Sequence, residues 1–154
     1  MVSRERQYAE DAALALESLG MPRAHGKLLG WLLVCDPPQQ SSADLAQALD
    51  LSAGSVSMGT RMLVNAGLVR QVAVPGKRGK VYEMIEDAMT RSIQDDRTRI
   101  MRELLDRGLD VVGGESAPRA GRLRRTRDFY AFIERELPAL TARFHAEYGE
   151  GGNG

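Results

Sequence analysis

Lys77, Arg78 and Lys80 fall within four residues, on the glycine-punctuated turn Pro75-Gly76-Lys77-Arg78-Gly79-Lys80. Three cations at the tip of a turn suit the holding of phosphate or other anionic oxygens. The plainer reading is a hairpin kept basic for solubility. Upstream, Ser55, Ser57, Met58 and Arg61 recur on one side of a helical pattern, with Val56, Gly59, Thr60 and Leu63 on the other. Serines at a helix N-terminus can bond phosphate oxygens beside exposed backbone N–H groups. An arginine on the same face can read a guanine edge through two hydrogen bonds. The bland alternative makes Ser55 and Ser57 first-turn capping residues and Arg61 a solvated charge.

The chain is formally neutral, but its charge is unevenly spread. Residues 51–82 carry five basic side chains and no acidic one, whereas residues 1–50 carry four basic and seven acidic. Residues 83–118 carry five and nine, and residues 119–154 seven and five. A phosphate backbone senses charge within a Debye length, so a local acid-free segment matters more than the neutral total.

Other chemistries find little support. Cys35 is the single cysteine, which excludes an internal disulfide and a cysteine-based zinc cluster. On an apolar helix it reads as a small hydrophobe rather than a redox sensor. His25 and His145 belong to different helices with no ligand pattern around them, so neither a metal nor a cofactor is expected. A glycine-rich phosphate loop, a nucleophile elbow and a metal-binding helix motif are all missing, and an enzyme is not expected. The first eleven residues are polar, and the longest apolar stretch, residues 28–35, is interrupted by Gly30. It is too short to span a bilayer, so no membrane partner and a cytoplasmic location are expected.

These side chains need elements to position them, and a chain that is 43% hydrophobic can build a packed core. Residues 4–19 are predicted to form a helix whose apolar face is Tyr8, Ala12, Ala15, Leu16 and Leu19. Gly20 ends it. A second helix over about 22–35 is apolar enough to sit near the centre of the core, and Asp36-Pro37-Pro38 stops it. A serine cap at Ser41-Ser42 opens a short helix with Leu45, Ala46 and Leu49 buried. After a tight connection, Ser52 caps a third helix from about Ala53 to Asn65, closed by Gly67. Residues 68–74 and 81–85 change to a β pattern and form a hairpin around the basic turn. From Glu86 to about Val112 a long helix is predicted, on the order of 40 Å at ~1.5 Å per residue. A helix that long outgrows the domain, so part of its stripe should meet another subunit. Gly113-Gly114 breaks it, a final helical segment covers about 118–148, and Pro138 should kink or divide that segment.

Helix, short helix, tight turn, helix and basic hairpin make up the outline of a winged helix-turn-helix. Residues 52–57 (Ser-Ala-Gly-Ser-Val-Ser), Arg61-Met62-Leu63 and residues 65–70 (Asn-Ala-Gly-Leu-Val-Arg) resemble the recognition-helix core of MarR-type winged-helix regulators. Residues 30–41 and 75–82 are more similar to the GbsR-like branch of that family. The resemblance covers residues 22–85 closely and the flanking helices in pattern. It implies a mainly α fold with a small β-hairpin wing, and a homodimer that represses transcription from double-stranded DNA. It also implies a small-molecule effector of quaternary ammonium type, beside which a lipophilic cation is the other ligand class expected. The wing lacks the Asp-x-Arg pattern common in MarR wings, and Met58 stands where many relatives carry a basic residue.

The expected organisation is an N-terminal dimerisation helix (1–20), a DNA-binding domain (21–85), a C-terminal helical dimerisation region (86–148) and a loose tail (149–154). Ser42, Ser55, Ser57, Met58, Arg61, Lys77, Arg78 and Lys80 are expected at the DNA. Tyr8, Trp31, Phe129 and Phe132 are candidates for an aromatic effector cage, against the simpler reading that they pack in the core or the dimer interface. Arg119, Arg122, Arg124, Arg125 and Arg127 read as a solvated helix face, or as contacts to flanking DNA or to a partner's acidic segment. A winged-helix module that docks a protein without reading DNA is the alternative function.

Overall fold

The computed structural model of the chain describes residues 1–90 and 96–149. They divide into two compact units, the first being Met1–Ala88 and the second beginning at Met89.

The first unit opens with α1 (Arg4–Glu17) and α2 (Arg23–Val34). Ser3 caps α1 by accepting from the Arg6 N–H at 3.2 Å. The two helices meet through small residues. Ala9 and Ala13 are fully buried, and a Cβ on Gly30 would lie 2.5 Å from the Ala12 Cβ and 3.1 Å from the Ala9 Cα. Gly26 makes the same kind of approach to Ala13 and Leu16. The expected apolar face of α1 is therefore rotated. Ala9, Ala12, Ala13 and Leu16 face α2, while Tyr8 and Leu19 are exposed. Two glycines one turn apart on α2 let the backbones close on alanines, which side-chain hydrophobicity alone does not reveal.

Leu28, Leu29 and Leu32 of α2 form the middle of the core with Leu45, Leu49, Val56, Leu63 and Val69. After α2, a two-residue strand β1 (Gln40–Ser41) leads into α3 (Ser42–Leu49). Ser41 and Asp44 form a capping box, each side chain bonding the other's backbone N–H, at 3.0 and 2.8 Å. Asp50, at φ +52°, makes the tight turn into α4 (Ala53–Asn65), which Ser52 caps as expected. Gly67 closes α4 in the left-handed region at φ +72°.

The wing is β2 (Val69–Val72) and β3 (Val81–Met84), antiparallel, with Gln71 opposite Tyr82 and Val72 opposite Val81. β1 pairs with the other edge of β3, giving the strand order β1-β3-β2. β1 was not expected, since two residues are too few to show a period.

In the second unit, the helix expected over 86–112 is seen as α5 (Arg97–Val112), beginning after a turn at Asp96. Its sixteen residues span about 24 Å, and residues 88–90, at the start of the same expectation, are helical as well. The stretch 91–95 of that expectation, and residues 150–154 of the expected tail, lie outside the described residues. α6 (Gly121–Tyr148) runs unbroken through Pro138, which does not divide it. Arg102 pairs with Glu134 and Arg127 pairs with Asp106, so α5 and α6 are antiparallel. Arg127 also bonds Glu115 and Asp128, and Arg124 donates to the Glu115 carbonyl. The basic cluster of 119–127 is thus partly spent on holding this helix pair, while Arg119, Arg122 and Arg125 are exposed.

Candidate nucleic-acid interface

α4 is two-faced, as its sequence predicts. Val56, Gly59, Thr60 and Leu63 are buried, and Gly59 sits so close to Leu28 and His25 of α2 that a side chain there would collide. Thr60 turns its hydroxyl back to the Val56 carbonyl at 2.7 Å, so its buried oxygen is satisfied within the helix. On the opposite face Ser57, Met58 and Arg61 are exposed, Met58 at 65%. Ser55 is half-buried and joins the cap. Its N–H donates to the Ser52 Oγ, and its own Oγ accepts from that hydroxyl, both at 3.1 Å.

The wing brings a second set of groups to this helix. Ser57, Arg61 and Val64 of α4 share a crevice of about 130 Å³ with Gln71 of β2, Lys80, and Tyr82 of β3. Ser57, Arg61 and Lys80 are therefore together, as the outward side of a helix-turn-helix and its wing must be. Gln71 was missed by sequence reasoning. Its exposed place on a two-residue alternation was the available signal, but only the pairing of β2 with β3 puts it beside Arg61.

The five cations of the acid-free segment are not equivalent. Arg70 is held by Glu83 at 2.6 Å, and Glu83 also accepts from the Gln39 side chain. Lys77 donates to the Asp44 carboxylate at 2.8 Å and to the Gln39 carbonyl at 3.0 Å. Both acids lie outside residues 51–82, where a count along the chain does not see them. Among the described residues Arg61, Arg78 and Lys80 make no ion pair, and all three are exposed. Ser42 is half-buried at the start of α3, its N–H donating to the Lys80 carbonyl at 3.0 Å.

The local electrostatics follow from these pairs. The Lys77 ammonium, with the Ser41 N–H, holds the Asp44 carboxyl at about 2, below its ordinary 3.8. Burial pushes the Cys35 thiol up, and its Sγ lies 3.8–3.9 Å from the Leu32 and Pro38 carbonyls, an environment that disfavours a reactive thiolate.

The chain as a whole is similar to known proteins. The chain is 37% identical over 147 residues to the HTH-type transcriptional regulator MmpR5 of Mycobacterium tuberculosis (strain ATCC 25618 / H37Rv), covering 94% of this chain and 88% of that protein. A family model described as "MmpR5-like MarR family transcriptional regulator" matches residues 83–147. The chain belongs to the MarR family of transcriptional regulators. A solved structure described as a crystal structure of a transcriptional regulator is similar with a TM-score of 0.81 and 35% identity, over 94% of this chain and 99% of that one. This MarR-family chain is accordingly a DNA-binding regulator and not an enzyme. Among the described residues no group of His, Cys, Asp and Glu could hold a metal, and no helix is long and apolar enough to cross a membrane.

The four aromatic candidates lie in different units. Tyr8 is exposed on α1, and the Trp31 indole N–H is taken by the Gln40 side chain at 3.1 Å. Phe129 and Phe132 are exposed on α6, where the Arg135 guanidinium stands 5.3 Å from the Phe132 ring centre.

Proposed function

We propose that this MarR-family regulator is a homodimeric repressor that binds a pseudo-palindromic operator sequence-specifically, with α4 in the major groove. The observation that carries this reading is the convergence of Ser57, Arg61 and Lys80 from two elements on one exposed crevice. Arg61 reads a base edge, Ser57 and Met58 approach the groove beside it, and Ser42, Ser55, Arg78 and Lys80 anchor phosphates. Two copies of α4 one DNA turn apart, about 34–36 Å, match two half-sites. α1, α5 and α6 are proposed to join the protomers. Exposed Ile100, Leu104, Phe129, Phe132 and Leu140 on α5 and α6 support that role. Within the family, residues 30–41 and 75–82 support a place near the GbsR-like branch.

An effector belongs to the same proposal. Each unit by itself offers aromatic faces suited to a quaternary ammonium or lipophilic cation, Tyr8 and Trp31 in the first and Phe129 and Phe132 in the second. Thermal-shift screening with such compounds tests it, and the absence of stabilisation by any of them removes it.

The deciding experiment is binding to genomic fragments, including the DNA just upstream of its own gene, at two salt concentrations with competitor DNA. A complex of two protomers per site that survives competitor is expected. Binding that vanishes with modest salt on every fragment favours a protein-docking module instead.

A further inference from the structure

We propose that Lys77 is a positioning residue rather than a phosphate contact: its ion pair with Asp44 latches the wing loop to the N-terminus of α3 and thereby sets where Arg78 and Lys80 meet DNA. This rests on the interface reading above.

Lys77 stands between two glycines in the left-handed region, Gly76 at φ +82° and Gly79 at φ +78°. Such a loop has little intrinsic preference for one path. Its neighbours Arg78 and Lys80 are exposed, but Lys77 is turned inward, its side chain 29% exposed. The ammonium finds one charged and one neutral acceptor, the Asp44 Oδ2 and the Gln39 carbonyl. The same Asp44 oxygen accepts the Ser41 N–H and completes the cap of α3. One carboxylate oxygen therefore joins the start of α3 to the middle of the wing loop. A second tie, from the Ser42 N–H to the Lys80 carbonyl, fixes the far end of the loop. A phosphate would have to displace a carboxylate to recruit Lys77. Paired, Lys77 and Asp44 are together neutral and add almost nothing to the attraction for a polyanion. Arg78 and Lys80 remain to supply it.

The two roles predict opposite signs for one substitution. If Lys77 grips phosphate, Asp44→Asn frees the cation, removes a negative charge, tightens DNA binding and steepens its salt dependence. If Lys77 is a latch, Asp44→Asn releases the wing and weakens operator binding despite the more favourable charge. Asparagine can still accept the Ser41 N–H, so the cap of α3 survives, and Lys77→Met does not touch the cap at all.

The experiment is fluorescence anisotropy on a labelled operator duplex and on a random 30-base-pair duplex, over a range of salt. The full-length variants Asp44→Asn, Lys77→Met, the double variant and Lys80→Met are compared, each checked for an intact unfolding transition. The latch predicts a loss of operator affinity of about fivefold or more in both single variants, with no further loss in the double variant. It predicts an unchanged salt slope for Lys77→Met, against a slope lowered by about one for Lys80→Met. Tighter or equal binding by Asp44→Asn, or a slope lowered by about one in Lys77→Met, overturns the latch alone. Wild-type binding by Lys80→Met overturns the interface reading, and the latch with it.

Discussion

Arg61 and Asp44 show how much depends on what a side chain is already doing. Arg61 has no internal acid partner among the described residues, so its guanidinium is available to a base edge. Arg61→Ala is expected to relax sequence choice at one base pair, costing about 1–3 kcal/mol there and little elsewhere. Competition with single-base operator variants measures this, and an equal loss on every duplex would remove Arg61 from base readout. Asp44 is committed inside the protein, with its folded carboxyl at about 2 against 3.8 ordinarily. A lowered folded value means that its contribution is present above the ordinary value and fades as pH falls toward the folded one. Because the side chain is 42% exposed, solvent screening reduces the contribution to about 1 kcal/mol. Unfolding titrations between pH 4 and pH 2 should therefore be shallower for Asp44→Asn than for the wild type. Parallel curves would contradict the pairing with Lys77.

The elements of the first unit are held by close backbone approach as much as by large apolar side chains. Gly30 admits α1 to α2 at a distance that a methyl group forbids. Gly30→Ala is expected to force the helices apart and destabilise the unit by about 1–3 kcal/mol, as overpacking does. Thermal unfolding measures that, and an unchanged midpoint would mean that the interface can yield. α3 is short and depends on its ends. Ser41 caps its start, and Arg6 of α1 donates to the Ala48 and Gln47 carbonyls at its finish. These carbonyls have no partners within the helix, and an arginine there satisfies them and the negative end of the helix dipole. Ser41→Ala should cost roughly 1 kcal/mol of stability, and because the same box holds the wing latch, it should also weaken DNA binding.

For the molecule as a whole, α5 and α6 raise a different question. They are joined by the Arg102–Glu134 and Arg127–Asp106 pairs, yet α6 buries no residue fully and α5 only Leu109. Large apolar side chains left at a surface in this number mark a face that binds something, and a second copy is the occupant proposed above. Leu104→Glu or Phe132→Glu is expected to shift the protein from dimer to monomer in sedimentation equilibrium. Operator affinity should fall by more than tenfold as the two half-sites lose their linked readers. A dimer that survives both substitutions would mean that the protomers join through other residues.

What the sequence determined by itself is local. The extents of α2, α3 and α4, the cap at Ser52, the closing Gly67, the buried face of α4 and the basic turn all follow from interactions within one or two helical turns. Periodicity and capping residues record such interactions directly. The outward side chains of α4 and the exposed Arg78 and Lys80 were legible for the same reason. The tertiary structure alone decided which cations are free. Lys77 meets Asp44 from 33 residues away, and Arg70 meets Glu83 only because β2 pairs with β3 in one register. It also decided the inward face of α1, set by glycines on another helix, and the presence of β1, which exists only through β3. A charge or a small residue is visible in a sequence, but its partner is chosen by the fold, because the energy of an ion pair or a close approach depends on distance in space and not along the chain.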